Sequence, residues 1–186
     1  MSHRVPDSCP VGFEGRYTVV PGDTMFLIAQ RLRINLNALI SANPHITNPN
    51  LIFPGDVLCI PRQLAFPCCV VLRPRDQVSP GTVGVALLYF DFSGAEAVSV
   101  LARLPSPTVF GDFDIYTATA LIPGINGFGN ELFPTPEDPP TYSTSISLPA
   151  VASLTPDTRV VVEPFNTETG ISGPVVLEGN LMQCRR

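Results

Sequence analysis

Tyr17-Thr18-Val19-Val20-Pro21-Gly22-Asp23-Thr24-Met25 and Asn50-Leu51-Ile52-Phe53-Pro54-Gly55-Asp56-Val57-Leu58-Cys59-Ile60-Pro61 bracket the segment whose punctuation decides the architecture of the first part of the chain. Arg16 to Val20 is a short β-rich run, and Pro21-Gly22 ends it in a tight turn. Asp23 or Thr24 can then accept a hydrogen bond from the free amides of a new helix, in which Met25, Ile28, Ala29 and Leu32 recur at i, i+3, i+4 and i+7. Asn35 is a second N-cap before the apolar stripe Leu36, Leu39 and Ile40, and Asn43-Pro44 stops that helix because proline cannot continue it. Val57 to Ile60 returns as a β-run able to pair with the first. The order predicted is strand, helix, helix, strand.

These residues, from 16 to 61, resemble a LysM module, present once. The resemblance implies binding of peptidoglycan or a chitin-like polymer of N-acetylglucosamine in a shallow groove. One side of that groove would be Gly22, Asp23, Thr24 and Met25, and the other Asn50, Leu51, Ile52 and Pro54. The chemistry agrees, because a neutral sugar needs closely approaching backbone groups for its acetamido group and apolar atoms for its methyl, and no charge. Gly22 leaves room for the ligand, Met25 and Ile52 would touch the methyl, and Asp23 is expected chiefly to cap the helix. Leu27 stands where the family more often has a small or polar residue.

Composition narrows the partners. All eleven basic residues of the 186 are arginine, so Schiff-base chemistry by lysine is excluded. Residues 1–66 hold five Arg against four acids, and residues 67–186 hold six against twelve. A net charge of −5 with an acidic second half argues against nucleic acid and anionic lipid, which reward basic patches. Met1 to Pro10 lacks the apolar core of a signal peptide, and the longest apolar runs are too short to cross a bilayer. The expectation is synthesis in the cytoplasm, no membrane insertion, and association with a cell wall or spore envelope.

Cys9 and Cys59 flank the first segment, and closing that loop would contribute about 4 kcal/mol in the chain-entropy model. They are the favoured disulfide. Bacterial spore-former proteins with one LysM module look similar, with Cys-Pro before the first strand and Cys-Ile-Pro at the end. Cys68 and Cys69 open the second half and Cys184 ends it. Neighbours in a strand face opposite ways, so only one of the two can meet Cys184; Cys69 with Cys184 is the candidate pair, and the sequence does not decide between Cys69 and Cys68. Buried free thiols are the alternative for these three. His3 and His45 lie away from any cysteine pair, so no metal site and no cofactor are expected.

The domains expected are 1–62, a linker at 63–67, and an all-β domain at 68–186. Candidate strands are Cys69–Arg73, Val83–Phe92, Ala97–Arg103, Ile115–Leu121, Tyr142–Leu148, Arg159–Glu163 and Val175–Met182. Seven short runs separated by Pro and Gly suggest an antiparallel sandwich of immunoglobulin or fibronectin type, making the chain α+β overall. Ile122 to Thr141, rich in Gly and Pro, reads as a long irregular piece: a partner contact through Phe128, Leu132 and Phe133, or an exposed hairpin. The close carboxylates Asp112 with Asp114 and Glu137 with Asp138 sit in turns, and no nucleophile lies in order with a histidine and an acid. No catalytic residue is expected. The leading reading is a non-catalytic wall-binding protein. The alternatives are a spore-coat assembly protein recruiting envelope proteins, and a wall-modifying enzyme.

Overall fold

The computed structural model describes residues 3–9, 13–32, 34–61, 64–75, 78, 80–125, 127–149 and 152–184. The chain divides into two compact units, Met1–Gln63 and Leu64–Arg185.

In the first unit, β1 (Phe13–Thr18) is followed by helices α1 (Met25–Leu32) and α2 (Leu36–Ser41), and β2 (Val57–Pro61) pairs antiparallel with β1. The helices pack on this two-stranded sheet because the apolar stripe of α1 turns inward: Met25, Ile28 and Ala29 are buried with Val19, Leu39, Ile46 and Leu58. Asn35 caps α2, its side chain accepting from the amides of Asn37 and Ala38. Asn43 does more than stop α2. Its buried amide donates to the carbonyls of Leu39 and Cys59 and accepts from the Cys59 amide at 2.6 Å, stitching the helix to β2. Cys9 and Cys59 are disulfide-bonded, with Cα atoms 5.5 Å apart.

The second unit holds β3 (Cys68–Pro74), β4 (Val83–Phe90), β5 (Glu96–Arg103), β6 (Ile115–Leu121), β7 (Phe128–Pro134), β8 (Thr141–Ser147), β9 (Arg159–Asn166), the two-residue β10 (Ile171–Ser172) and β11 (Leu177–Asn180). Following the pairings in space gives β3-β4-β5-β8-β7-β6-β9-β11 and back to β3, every step antiparallel. The ring closes. This corrects the sandwich expected from the sequence: the domain is an eight-stranded barrel, with β10 a short addition to β9.

The difference rests on β7, which falls within the stretch read as irregular. Without β7 the strands β8 and β6 have no bridge and the sheet must stay open. With it, Phe133 pairs with Ser143 on one side, and Tyr116 with Leu132 on the other. Two of the glycines that make this stretch resemble a loop, Gly127 and Gly129, serve close packing instead. A Cβ on Gly129 would lie 2.6 Å from Thr119 Oγ1 and 2.8 Å from the Ala118 carbonyl.

Alternation along each strand then sends one set of residues inward, and closure buries them completely. Val70, Leu72, Ala86, Leu88, Val100, Tyr116, Ala118, Ala120, Val160, Val162 and Leu177 all form one core, in which many alanines offset the bulk of Tyr116 and the leucines. The Tyr116 ring packs edge-on against Tyr142 at 5.1 Å, and its hydroxyl donates to the Pro105 carbonyl. Gln63, the first residue of the expected linker, lies outside the described residues, whereas Leu64 is buried in the barrel core and the Ala65 amide donates to the Cys184 carbonyl.

A second correction concerns the thiols. Cys68, and not Cys69, is bonded to Cys184, which ends a short 3-10 turn (Leu181–Cys184). Cys68 shares the inward-facing parity of Val70 and Leu72, so Cys69 points outward and is an exposed free cysteine. Among the described residues, no helix is long and apolar enough to cross a membrane.

Candidate functional site

The two stretches singled out in the first unit are brought side by side by the sheet beneath them. Thr18 pairs with Val57, and just beyond this pair the Val19 amide donates to the Asp56 carbonyl while the Gly55 amide donates to the Val19 carbonyl, both at 2.8 Å. The turn leaving β1 and the loop entering β2 are thereby clasped together.

On the first side, Pro21 and Gly22 form the turn, and Gly22 has φ of +88°, a conformation costly for any residue with a Cβ. Among the described residues, no atom beyond Gly22 and its chain neighbours lies within 4 Å of the place a Cβ would take, so the space above it is open. Asp23 behaves differently from the expectation. It does not cap α1; its carboxylate accepts from the Val20 amide, the Tyr17 hydroxyl at 2.7 Å and Arg31 at 3.0 Å. Burial by itself would raise its pKa, but the Val20 amide, Tyr17 and Arg31 together hold it below the ordinary aspartate value. Thr24 is the cap, its hydroxyl accepting from the Leu27 amide at 3.1 Å. Met25 is only 3% exposed and belongs to the core, so the thioether is not presented at the surface. Phe26 beside it is 60% exposed and Leu27 is 42% exposed.

On the second side, Asn48 shapes the loop by accepting from the amides of Asn50 and Leu51, through its side chain and carbonyl respectively. Leu51 is half exposed, Pro54 is exposed, and Ile52 is partly buried against the core. The loop is locked from below by Asp56. This buried carboxylate accepts from the Arg4 amide at 2.9 Å and the Phe53 amide at 2.8 Å, and forms an ion pair with the Arg4 guanidinium. Burial works against ionisation, yet the Arg4 side chain, with the amides of Arg4 and Phe53, holds the pKa at about 2. Arg4 also donates to the Leu51 carbonyl at 2.8 Å and lies 5.4 Å from the centroid of the Phe53 ring.

Seven of the eight residues read from the sequence therefore line two adjoining bends with surface access, and Met25 lies beneath them. Among the described residues, the amides of Gly22, Thr24 and Ile52 have no intramolecular acceptor. Donors at both bends, with Leu51 and Ile52 as apolar neighbours, suit a neutral, amide-bearing ligand. Sequence reasoning missed Arg4 and Phe26. Arg4 gave no signal, since it precedes every periodic element. Phe26 did: an aromatic at the solvent-facing position after Met25 breaks the polar face of α1.

In the barrel, one of the turn carboxylates has a structural partner. Asp114 accepts from the Thr167 amide at 2.8 Å and from the Thr167 hydroxyl, tying the start of β6 to the end of β9.

Residues 17–61 match the LysM domain family model, and residues 64–185 match the model of the SPbeta prophage-derived uncharacterized protein YoqH. The Bacillus subtilis (strain 168) protein of that name is 32% identical over 126 residues, covering 64% of this chain and 83% of the relative. The secreted LysM effector ECP6 of Passalora fulva is 42% identical over 55 residues, 30% of this chain and 24% of that protein. A probable autolysin LDP of Staphylococcus aureus (strain NCTC 8325 / PS 47) is 50% identical over 44 residues, 24% of this chain and 15% of that protein. No solved structure matches. The first domain is thus a LysM carbohydrate-binding module, and through its barrel the chain belongs to the family of the SPbeta prophage-derived protein YoqH.

Proposed function

We propose that this protein binds peptidoglycan, or another polymer containing N-acetylglucosamine, through the groove between residues 22–25 and 50–54, and holds the barrel at a cell wall or spore envelope without acting catalytically. The observation carrying this reading is the pair of clasped bends, whose amides at Gly22, Thr24 and Ile52 have no internal acceptor among the described residues. Such donors match the acetamido carbonyl, and Leu51 and Ile52 supply the apolar side for its methyl. Met25 acts from below by supporting the turn. The effector and the autolysin differ in what their names say they do, and match this chain over only 55 and 44 residues, which suits a targeting part. With one copy of the module, a single chain gains no avidity, so firm attachment rests on arrays of chains.

Co-sedimentation with insoluble peptidoglycan and with chitin tests the reading. The full chain should sediment with at least one of them, and Gly22→Trp should reduce the bound fraction by about tenfold while the fold persists. Retention of both proteins in the supernatant, or equal binding by the variant, contradicts it.

A further inference from the structure

The outer face of β9, β11 and β3 carries a cleft of about 380 Å³ in the barrel domain. Its walls include Arg73, Arg75, Arg159, Glu178, Asn180 and Gln183. Register explains the gathering: Arg73 stands opposite Glu178, and Arg159 opposite Asn180, so their side chains leave the sheet on one face. Glu178 is mostly shielded and pairs with both Arg75 and Arg159, the latter at 2.9 Å. It fixes the two guanidinium groups while leaving each more than half exposed. Arg73 has no ion-pair partner among the described residues.

The distribution of charge makes this cleft exceptional. Residues 67–186 hold twice as many acids as arginines. Yet three of the four arginines described in the domain, Arg73, Arg75 and Arg159 but not Arg103, converge here with a single acid. A local surplus of two positive charges on an acidic domain is not solubilising scatter. Guanidinium forks match the paired oxygens of carboxylate and phosphate, and the amides of Asn180 and Gln183 add neutral donors at the same opening.

We propose that this cleft is a second binding site, taking a doubly charged oxyanion, a phosphate monoester or a dicarboxylate, separate from the glycan groove. Arg73 is the unpaired anchor, Arg75 and Arg159 are supporting donors, and Glu178 holds those two in position. The acidic remainder of the domain disfavours nucleic acid and anionic membranes, so the ligand is a compact anionic group.

Titration of the isotope-labelled full chain at low salt, followed by amide resonances, tests this with two probes, inorganic phosphate and succinate, against chloride at matched ionic strength. Saturable shifts at Arg73, Glu178, Gly179 and Asn180 are expected with one probe or both, and Arg73→Gln should weaken binding by about tenfold. Saturation by phosphate alone identifies a phosphate ligand, and by succinate alone a carboxylate ligand. Arg159→Gln, at a second exposed position, should weaken binding in the same direction. Shifts that grow linearly with both probes, that chloride reproduces, or that both variants leave unchanged overturn the proposal.

Discussion

At the scale of single residues, the first domain depends on a carboxylate that the sequence does not advertise. Asp56 looks like one member of a Pro-Gly-Asp turn, yet it is buried and gathers Arg4 and the Phe53 amide beneath the groove. Its pKa is depressed to about 2, so its contribution to stability is complete above the unfolded value of about 3.9 and is lost as pH falls through about 2. Amide hydrogen exchange in α1 and β2 should accelerate across that window. Asp56→Ala, which strands Arg4 and two amides, should lower the stability of the domain by about 3 kcal/mol at neutral pH. Unchanged exchange in the variant would mean the cluster is decorative. Glu96 in the barrel has the opposite sign. Burial raises its pKa, while the Leu154 amide, donating at 2.6 Å, acts against that rise. Its ionised form therefore costs stability at neutral pH, and the cost is relieved as pH falls through the raised value. Glu96→Gln keeps an acceptor for Leu154 and removes the charge. Thermal denaturation should find it as stable as the parent or more so at pH 7, with the difference vanishing in acid.

At the scale of elements, legibility followed the strength of the periodic signal. The stripe Met25, Ile28, Ala29 and the cap at Asn35 could be read directly, because a helix against a sheet buries one face and exposes its end amides. The same periodicity identified Met25 as core, which is incompatible with its proposed contact to ligand; burial is the stronger reading. Capping by Thr24 and not Asp23 turned on two distant partners, Tyr17 and Arg31, which draw the Asp23 carboxylate away. In β3, the run Cys68-Cys69-Val70-Val71-Leu72 is apolar throughout, so its inward parity, and with it the choice of Cys68 as partner of Cys184, is invisible without the neighbouring strands. β7 was hidden by glycines whose purpose is close approach to β6. Gly129→Ala tests this: its Cβ would press on Thr119 and the Ala118 carbonyl, and thermal denaturation should show a loss of about 1–3 kcal/mol. A neutral outcome would mean that β7 is held loosely enough to move away.

At the scale of the molecule, the two domains solve different problems with different means. The LysM module is small and relies on one disulfide, Asn43 and the Arg4–Asp56 cluster to hold a modest core. The barrel has no open edge around its ring and carries a larger core. The LysM module carries the groove proposed to take the sugar, and the barrel contributes the arginine-lined cleft. The most direct measurement is a resonance titration of the full labelled chain with a soluble oligosaccharide of N-acetylglucosamine. Saturable shifts are expected at Gly22, Thr24 and Ile52, from both bends together, with barrel resonances unmoved. Unperturbed bends at millimolar sugar, or shifts confined to the barrel, would contradict the proposed groove.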